Sequence, residues 1–348
     1  MIKQKFTSAQ EKVGIKMKLI AYHVSSEENK YVQEWSKINK IEVDVCNDFL
    51  TPETVTKAKN YDGISALQKV PYSAELFLNM QTFGIQYLSL RNVGTDNINT
   101  TVAQKAKIHI ANVPTFSPNS IAEFAVLLAM SLIRKMGFVN HANNNGDFHK
   151  DPSFEGRELK TLTVGVIGAG HIGKEVVRIC KGLGMKVLIY DSLSHSQSSS
   201  DKQEQYVTNL NRLYAQSDII TLHVPGVAKN YHLLNKDTFA KMQKHPYIIN
   251  TARGNLINTK DLISALESGV LAGAGLDTYE NENHIFEDQK SGKAISDPEF
   301  QQLTKMPNVI LTPHIAFYTE SAIANMVKFS LDNLKEFVES GHSNNEIF

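Results

Sequence analysis

Residues 163–177, TVGVIGAGHIGKEVV, constrain the fold more than any other stretch: an apolar run passes directly into glycines at 168, 170 and 173 and then into a helical pattern. A strand that turns this sharply into a helix is the opening βα unit of a doubly wound parallel sheet. Each glycine has its own physical reason. Gly168 makes the tight turn, Gly170 lets backbone approach a pyrophosphate, and Gly173 lets the helix pack against the strand. Phosphate charge would there meet free amides and the positive end of the helix dipole. Three glycines in a turn also recur for steric reasons alone, so the neighbourhood has to decide. The following strand, KVLIYD, ends in Asp191, at about the 20-residue spacing of the acid that accepts hydrogen bonds from an adenosine ribose. Ser192 and Leu193 come next, with no Arg or Lys for a 2′-phosphate, so the reading is NAD over NADP. An S-adenosylmethionine enzyme could also place an acid at a second strand end, and Gly173 argues mildly against it.

Around this unit the chain alternates apolar runs with helical stretches. From Met17 the runs are 17–24, 41–46, 61–67, 85–91 and 108–113, with helices expected near 28–37, from Thr51 and Pro52, near 74–80 and near 100–105. Such alternation makes a parallel sheet wrapped by helices. A long helix over 119–136 follows, then the Asn-rich passage HANNNGDFHKDPSFEG, which has little periodicity. The second alternation supplies strands at TVGVIG, KVLIYD, YVT, DIITLHV, YIINTA, GAGLDTY and NVILTP, and a last helix over 321–338 that can return to the first unit. The expected class is α/β with two doubly wound parallel-sheet domains. Residues 1–116 and 317–348 form a substrate domain, and 117–316 form a nucleotide domain inserted in it. Two domains also suit a chain of 348 residues, which exceeds what one core usually serves.

Charge and cysteine usage remove several function classes. The 36 basic residues balance 36 acidic ones, so no electrostatic term favours nucleic acid or an anionic membrane. The longest apolar stretch, 121–133, is broken by Glu123 and ended by Arg134 and Lys135, which is too short for a bilayer. Cys46 and Cys180 are far apart in apolar segments, as buried thiols in a reducing cytoplasm would be, and no metal site is expected. Residues 1–16 lack the apolar core of a signal peptide and read as an extension before the first strand.

In an open α/β sheet the ligand lies beyond the carboxyl ends of the strands. There the second unit presents Pro225, Arg253, Asp277 and His314, with Glu280 and Glu282 just after Asp277. A guanidinium clamps a carboxylate through two parallel hydrogen bonds, so Arg253 can hold an acid substrate; an Arg capping the turn before Gly254 is the plainer alternative. His314 can exchange a proton near neutrality, as a ketone needs when hydride makes it an alkoxide, although a lone histidine is more often a bonded core residue. A carboxylate beside it would fix its tautomer and favour the charged form, a role open to Glu280 or Glu282.

The chain resembles the D-2-hydroxyacid dehydrogenases from Met17 onward, through SLRNVGTDN (89–97), NVP and SPNSIAEF (112–124), VGVIGAGHIGK, LHVPG, NTARGNLI, AGLDTYE and LTPHIAFYTE. The resemblance implies a Rossmann NAD-binding domain inserted in a flavodoxin-like substrate domain, with the active site in the cleft. It implies Arg253 as the catalytic arginine, Glu282 rather than Glu280 as the glutamate, and His314 as proton donor. Cofactor contacts would fall on Gly168, Gly170, His171, Ile172, Gly173, Asp191, Val224, Pro225, Asn230, Thr251, Ala252 and Asp277, and substrate-carboxylate donors on Val93 and Gly94. The implied activity is reversible reduction of 2-ketoacids by NADH to D-2-hydroxyacids.

Within the family the chain is most similar to the lactic-acid-bacterial D-lactate and D-2-hydroxyisocaproate enzymes. Leu67, in GISALQKVPY, stands where D-lactate enzymes typically carry tyrosine and the hydroxyisocaproate type carries leucine. An isobutyl group in place of a ring enlarges an apolar pocket, and burial favours a longer substrate by about 0.8 kcal/mol per methylene, so branched ketoacids are expected to be accepted. Phe116 departs from the usual tyrosine and removes a hydroxyl near the substrate. The family implies a homodimer. Two alternatives remain: a D-lactate dehydrogenase reducing mainly pyruvate, and a non-catalytic NAD(H)-sensing protein on the same fold.

Overall fold

The apolar runs become short strands, of which the central ones, such as 63–66, 219–222, 247–250 and 273–276, are buried along their whole length, as inner strands of parallel sheets are. In this computed structural model, residues 17–68, 70–95, 97–192 and 203–348 are described. The expected extension 1–16 lies outside the described residues, as do Lys69, Asp96 and the segment 193–202 with Leu193. The described chain divides into two compact units, one running to Phe116 and resuming at Glu320–Phe348, the other spanning Ser117–Thr319. The second boundary falls three residues later than the position 317 read from the sequence. Residues 317–319 stay with the second unit, where Thr319 Oγ1 lies 2.7 Å from Ser120 Oγ.

The first unit is a five-stranded parallel sheet in the order β2-β1-β3-β4-β5. Its strands are β1 (Lys18–Tyr22), β2 (Glu42–Cys46), β3 (Gly63–Ala66), β4 (Tyr87–Leu90) and β5 (His109–Ala111). The helix Glu320–Ser340 packs on this sheet, with Ser330 Oγ 2.8 Å from Ser65 Oγ and Asp332 accepting from Trp35 Nε1 at 2.8 Å. The helix expected after Thr51 and Pro52 is only a 3₁₀ segment, Thr54–Ala58. There the Thr54 hydroxyl donates to Phe49 O at 2.6 Å and accepts from Thr51 N at 2.9 Å, a local alternative to the helical ladder.

The second unit holds seven parallel strands in the order β12-β11-β10-β9-β6-β7-β8. These are β6 (Thr163–Ile167), β7 (Lys186–Tyr190), β8 (Glu204–Tyr206), β9 (Ile219–Leu222), β10 (Tyr247–Asn250), β11 (Gly273–Leu276) and β12 (Val309–Leu311). The chain leaves β6 in one direction to β7 and β8, then returns to lay β9 on the other side of β6. That reversal is the switch point at which doubly wound sheets bind ligands. The helix expected over 119–136 ends at Ile133, and Lys135, at φ +57°, starts a second helix, Met136–Asn144. Helix therefore extends into the Asn-rich passage. Gly137, inside that second helix, packs against Pro307, where a Cβ would lie 2.2 Å from Pro307 O.

Candidate active site

The glycine turn separates two kinds of constraint. Gly168 has φ +97°, and a Cβ on it would lie 2.5 Å from His223 O, while one on Gly173 would lie 1.9 Å from Gly168 O. Protein backbone alone excludes side chains at both positions. At Gly170 an added Cβ meets no protein atom within 4 Å, so packing does not demand glycine there. The helix His171–Gly182 begins at Gly170 without a side-chain cap, leaving first-turn amides of the kind that bind phosphate. Asp191, beyond β7, accepts from Ala169 N at 2.7 Å and so braces the turn. The open space at Gly170, the uncapped amides and the acid together fit a dinucleotide.

The remaining residues read as cofactor contacts also lie beyond strand ends. Val224 and Pro225 follow β9, and Asn230 Nδ2 donates to Pro225 O at 2.9 Å. Thr251 and Ala252 follow β10; Ala252 N donates to Asn250 Oδ1 at 3.0 Å, while the buried Thr251 Oγ1 has no hydrogen-bond partner among the described residues. His223 Nδ1 is likewise buried and unpartnered among them, and burial pushes its imidazole from the usual 6.5 down to about 3.

Arg253 stands just past β10, its carbonyl accepting from Asn250 Nδ2 at 2.8 Å and its Nη1 donating to Ala252 O at 2.8 Å. Glu282 opens the helix Glu282–Lys290, and its Oε1 lies 2.9 Å from His314 Nδ1, with the two side chains 21% and 26% exposed. This bond uses Nδ1 and leaves Nε2 as the nitrogen that Glu282 does not engage. His314 itself sits at φ +59°, a conformation uncommon for a residue with a Cβ. The buried Asp277 holds it there. Asp277 Oδ1 accepts from Thr312 Oγ1 at 2.6 Å and Ile315 N at 2.9 Å, and Oδ2 from Ala316 N at 2.8 Å. Burial pushes the Asp277 carboxyl above the ordinary carboxylate range, against the opposing pull of those donors. Asp277 was read as a cofactor contact; its carboxylate here also secures the loop that carries His314, which strand-end position alone does not reveal.

Glu280, the other candidate for the imidazole partner, faces a different histidine. Its Oε1 lies 2.5 Å from His232 Nε2, and its Oε2 accepts from Thr259 N and Oγ1 at 3.0 and 2.8 Å. His232 and the Glu280 pairing were missed because a single histidine in NYHLLN carries no motif of its own.

In the first unit, the loop after β4 carries Val93 and Gly94. Asn112 Nδ2 donates to Val93 O at 2.7 Å and Asn92 Nδ2 to Gly94 O at 2.6 Å, which fixes the backbone there. Upstream, the fully buried Arg91 donates to Glu28 Oε1 at 2.8 Å and to the carbonyls of Tyr22 and His23 at 2.9 Å. Leu67 O accepts from His23 Nδ1 at 2.9 Å, and the His23 ring stacks on Phe49 at 4.0 Å. Phe116 is buried, and its carbonyl accepts from Asn325 Nδ2 at 2.8 Å. Among the described residues no group of His, Cys, Asp or Glu is placed to hold a metal ion, and no helix is long and apolar enough to cross a membrane.

Known proteins match this arrangement closely. Residues 126–316 match the family described as D-isomer specific 2-hydroxyacid dehydrogenase, NAD binding domain. A D-lactate/D-glycerate dehydrogenase of Pediococcus acidilactici is 44% identical over 331 residues, covering 95% of this chain and 99% of that protein. Among solved structures, a D-2-hydroxyisocaproate dehydrogenase superposes with a TM-score of 0.89 at 43% identity, covering 95% of this chain and 99% of that one. The NAD-complexed D-isomer specific 2-hydroxyacid dehydrogenase of Lactobacillus delbrueckii ssp. bulgaricus superposes with a TM-score of 0.84 at 34% identity, covering 95% and 100%. With the Rossmann-type sheet, the dinucleotide turn and these relatives in agreement, the chain belongs to the D-isomer specific 2-hydroxyacid dehydrogenases and is an NAD-dependent oxidoreductase.

Proposed function

We propose that this enzyme reduces 2-ketoacids with branched or larger side chains to D-2-hydroxyacids, using Arg253, Glu282 and His314. The observation that carries the reading is the His314 Nδ1 to Glu282 Oε1 contact of 2.9 Å, which turns the ring so that its other nitrogen can serve a substrate. NADH, when bound, supplies the hydride. Its pyrophosphate is assigned to the turn of Gly168, Gly170, His171, Ile172 and Gly173, its ribose to Asp191, and further contacts to Val224, Pro225, Asn230, Thr251, Ala252 and Asp277. Arg253 pairs with the ketoacid carboxylate through its planar fork, and the amides of Val93 and Gly94 are assigned to the same carboxylate. As negative charge develops on the carbonyl oxygen, His314 gives up its Nε2 proton to it. Glu282 keeps the ring oriented throughout.

Leu67 supports the larger side chain, with Phe116 as its proposed neighbour in substrate contact. The second reading, preference for pyruvate, is favoured by relatives named D-lactate dehydrogenase, such as that of Lactiplantibacillus plantarum at 43% identity. NADH oxidation with pyruvate, 2-ketoisocaproate and phenylpyruvate separates the two. Faster turnover per KM with 2-ketoisocaproate is expected; a strong preference for pyruvate would establish the second reading, and no oxidation with any of them would remove both.

The same proposal includes a homodimer and a cytoplasmic location. Leu127, Met130 and Met136 are 55%, 37% and 42% exposed on the helices Pro118–Ile133 and Met136–Asn144, and Phe148 is 87% exposed, an apolar set suited to a second copy. The two buried free thiols, Cys46 and Cys180, suit a reducing compartment. Light scattering at working concentration checks the dimer, for which twice the 38.8 kDa chain mass is expected.

A further inference from the structure

We propose that His232 and Glu280 form a second histidine–glutamate pair whose role is to position Arg253, not to move protons. The inference rests on the assignment of Arg253 to the substrate carboxylate.

Hydrogen-bond logic fixes the chemistry of the pair. Asn258 caps the helix Thr259–Glu267, its Oδ1 accepting from Asp261 N at 3.0 Å. That contact determines which end of the amide is which, so the NH₂ group faces His232 Nδ1 at 3.2 Å. A donor facing Nδ1 requires an unprotonated nitrogen there. His232 is therefore neutral, with its proton on Nε2 donated to Glu280 Oε1 at 2.5 Å. Both nitrogens of this ring are engaged by protein. In His314 the glutamate takes Nδ1 alone, so the two pairs share their residue types and differ in wiring. The His232 ring is further held by stacking on Tyr231 at 3.8 Å and by a backbone at φ +49°.

The pair joins the segments that carry the chemistry. His232 N donates to Asn255 O at 2.9 Å, Leu234 N to Leu256 O at 2.9 Å, and Asn258 N to Leu234 O at 2.9 Å, so residues 232–234 form a rail along the chain just after Arg253. On the other side, a Cβ at Gly254 would lie 2.1 Å from the carbonyl carbon and oxygen of Tyr279; the turn behind Arg253 abuts the backbone leading into Glu280. Glu280 closes the arrangement by binding His232 and the amide and hydroxyl of Thr259 at once. Tyr279 O meanwhile accepts from Glu282 N at 3.2 Å. The arginine turn and the turn bearing Glu282 are thus set in register by one carboxylate and one imidazole. Misplacing a substrate-orienting group by about 1 Å can cost about 10²-fold in rate, which gives such a pair a measurable effect on substrate binding.

The test compares the full-length wild type with His232→Leu, His232→Gln and Arg253→Lys, measuring kcat and KM for 2-ketoisocaproate, NADH binding by fluorescence, the pH profile and thermal unfolding. His232→Leu is expected to raise KM for the ketoacid about tenfold or more. Its kcat should change far less, and its NADH affinity and the midpoint of the pH profile should stay at the wild-type values. His232→Gln, whose amide can still donate to Glu280, is expected to recover most of the lost KM. An unchanged KM in His232→Leu overturns the proposal, as does a displaced pH midpoint, or a decline of kcat, KM and NADH affinity in step with thermal stability. If His232→Leu does not accumulate folded, His232→Asn, polar but too short to reach Glu280, is judged by the same outcomes. Arg253→Lys keeps the two levels apart: normal turnover there removes the arginine assignment itself, whereas a crippled Arg253→Lys beside a normal His232→Leu removes the positioning pair alone.

Discussion

Glu282 Oε1 lies 2.9 Å from His314 Nδ1, and it is this bond, made by a residue at the start of a helix to one in a left-handed turn, that aims the imidazole. Reduction consumes a proton from His314 and oxidation returns one. Ketoacid reduction, which needs the protonated ring, is therefore expected to fall as pH rises, and hydroxyacid oxidation to rise. Profiles of kcat/KM recorded in both directions check this, and parallel profiles would refute the assignment. His314→Gln should lower kcat by about 10²- to 10⁴-fold, the usual contribution of a general acid, while NADH still binds.

Arg253→Lys keeps the charge and loses the planar fork. We expect kcat/KM for 2-ketoacids to drop by at least about 10²-fold, on the order of the loss from misorienting a substrate, with NADH affinity unchanged in a fluorescence titration. Near-normal turnover would take Arg253 out of the substrate-binding role.

The glycine turn allows folding and cofactor binding to be separated. Gly173→Ala forces a Cβ into Gly168 O and should destabilise the fold by about 1–3 kcal/mol, as overpacking does. Gly170→Ala meets no protein atom. It should leave thermal unfolding of the apoenzyme unchanged and weaken NADH. If Gly170→Ala binds NADH as the wild type does, the pyrophosphate is not at that position.

Leu67→Tyr should fill the proposed side-chain pocket and move preference toward pyruvate. The ratio of kcat/KM for 2-ketoisocaproate to that for pyruvate is expected to fall about tenfold or more, from the one to three kcal/mol that a pocket methylene is worth. A ratio unchanged within error would place Leu67 away from the substrate.

His223 gives the stability a pH dependence of known sign. Its pKa is about 3 in the folded state against an ordinary 6.5, so the unfolded chain binds the proton more readily. The contribution is complete above about 6.5 and is lost as pH falls toward 3, with a slope of up to about 1.4 kcal/mol per pH unit. Urea unfolding of wild type and His223→Gln at pH 7 and 5 measures it. The wild type should lose more stability between the two pH values than the variant, and equal losses would exclude His223 as the cause.

How far the sequence reached depended on whether a feature was local. Strand positions, the parallel class and the Gly168 to Gly173 turn were legible because apolar period and glycine spacing are properties of neighbouring residues. The helix expected over 119–136 instead breaks at Lys135, whose left-handed backbone starts a second helix, a turn that the apolar period of 121–133 does not mark. The 3₁₀ segment Thr54–Ala58 replaced a full helix because one hydroxyl bonded to Phe49 O and Thr51 N, a competition that composition does not reveal.

The site divides along the same line. By itself the sequence determined that Arg253, Asp277, Glu280, Glu282 and His314 follow strand ends of one parallel sheet, because the order of apolar runs fixes which residues leave the sheet at its carboxyl edge. The choice between the two glutamates, open on local residues and made by family resemblance, became a matter of distance only in three dimensions: Glu282 meets His314, and Glu280 meets His232. Which imidazole nitrogen is engaged followed from the Asn258 cap and Glu280 at His232 and from Glu282 at His314, whose loop Asp277 holds by three bonds. These were decided by tertiary structure because a hydrogen bond between residues tens of positions apart has no sequence period; it exists only once the sheet has brought their loops together.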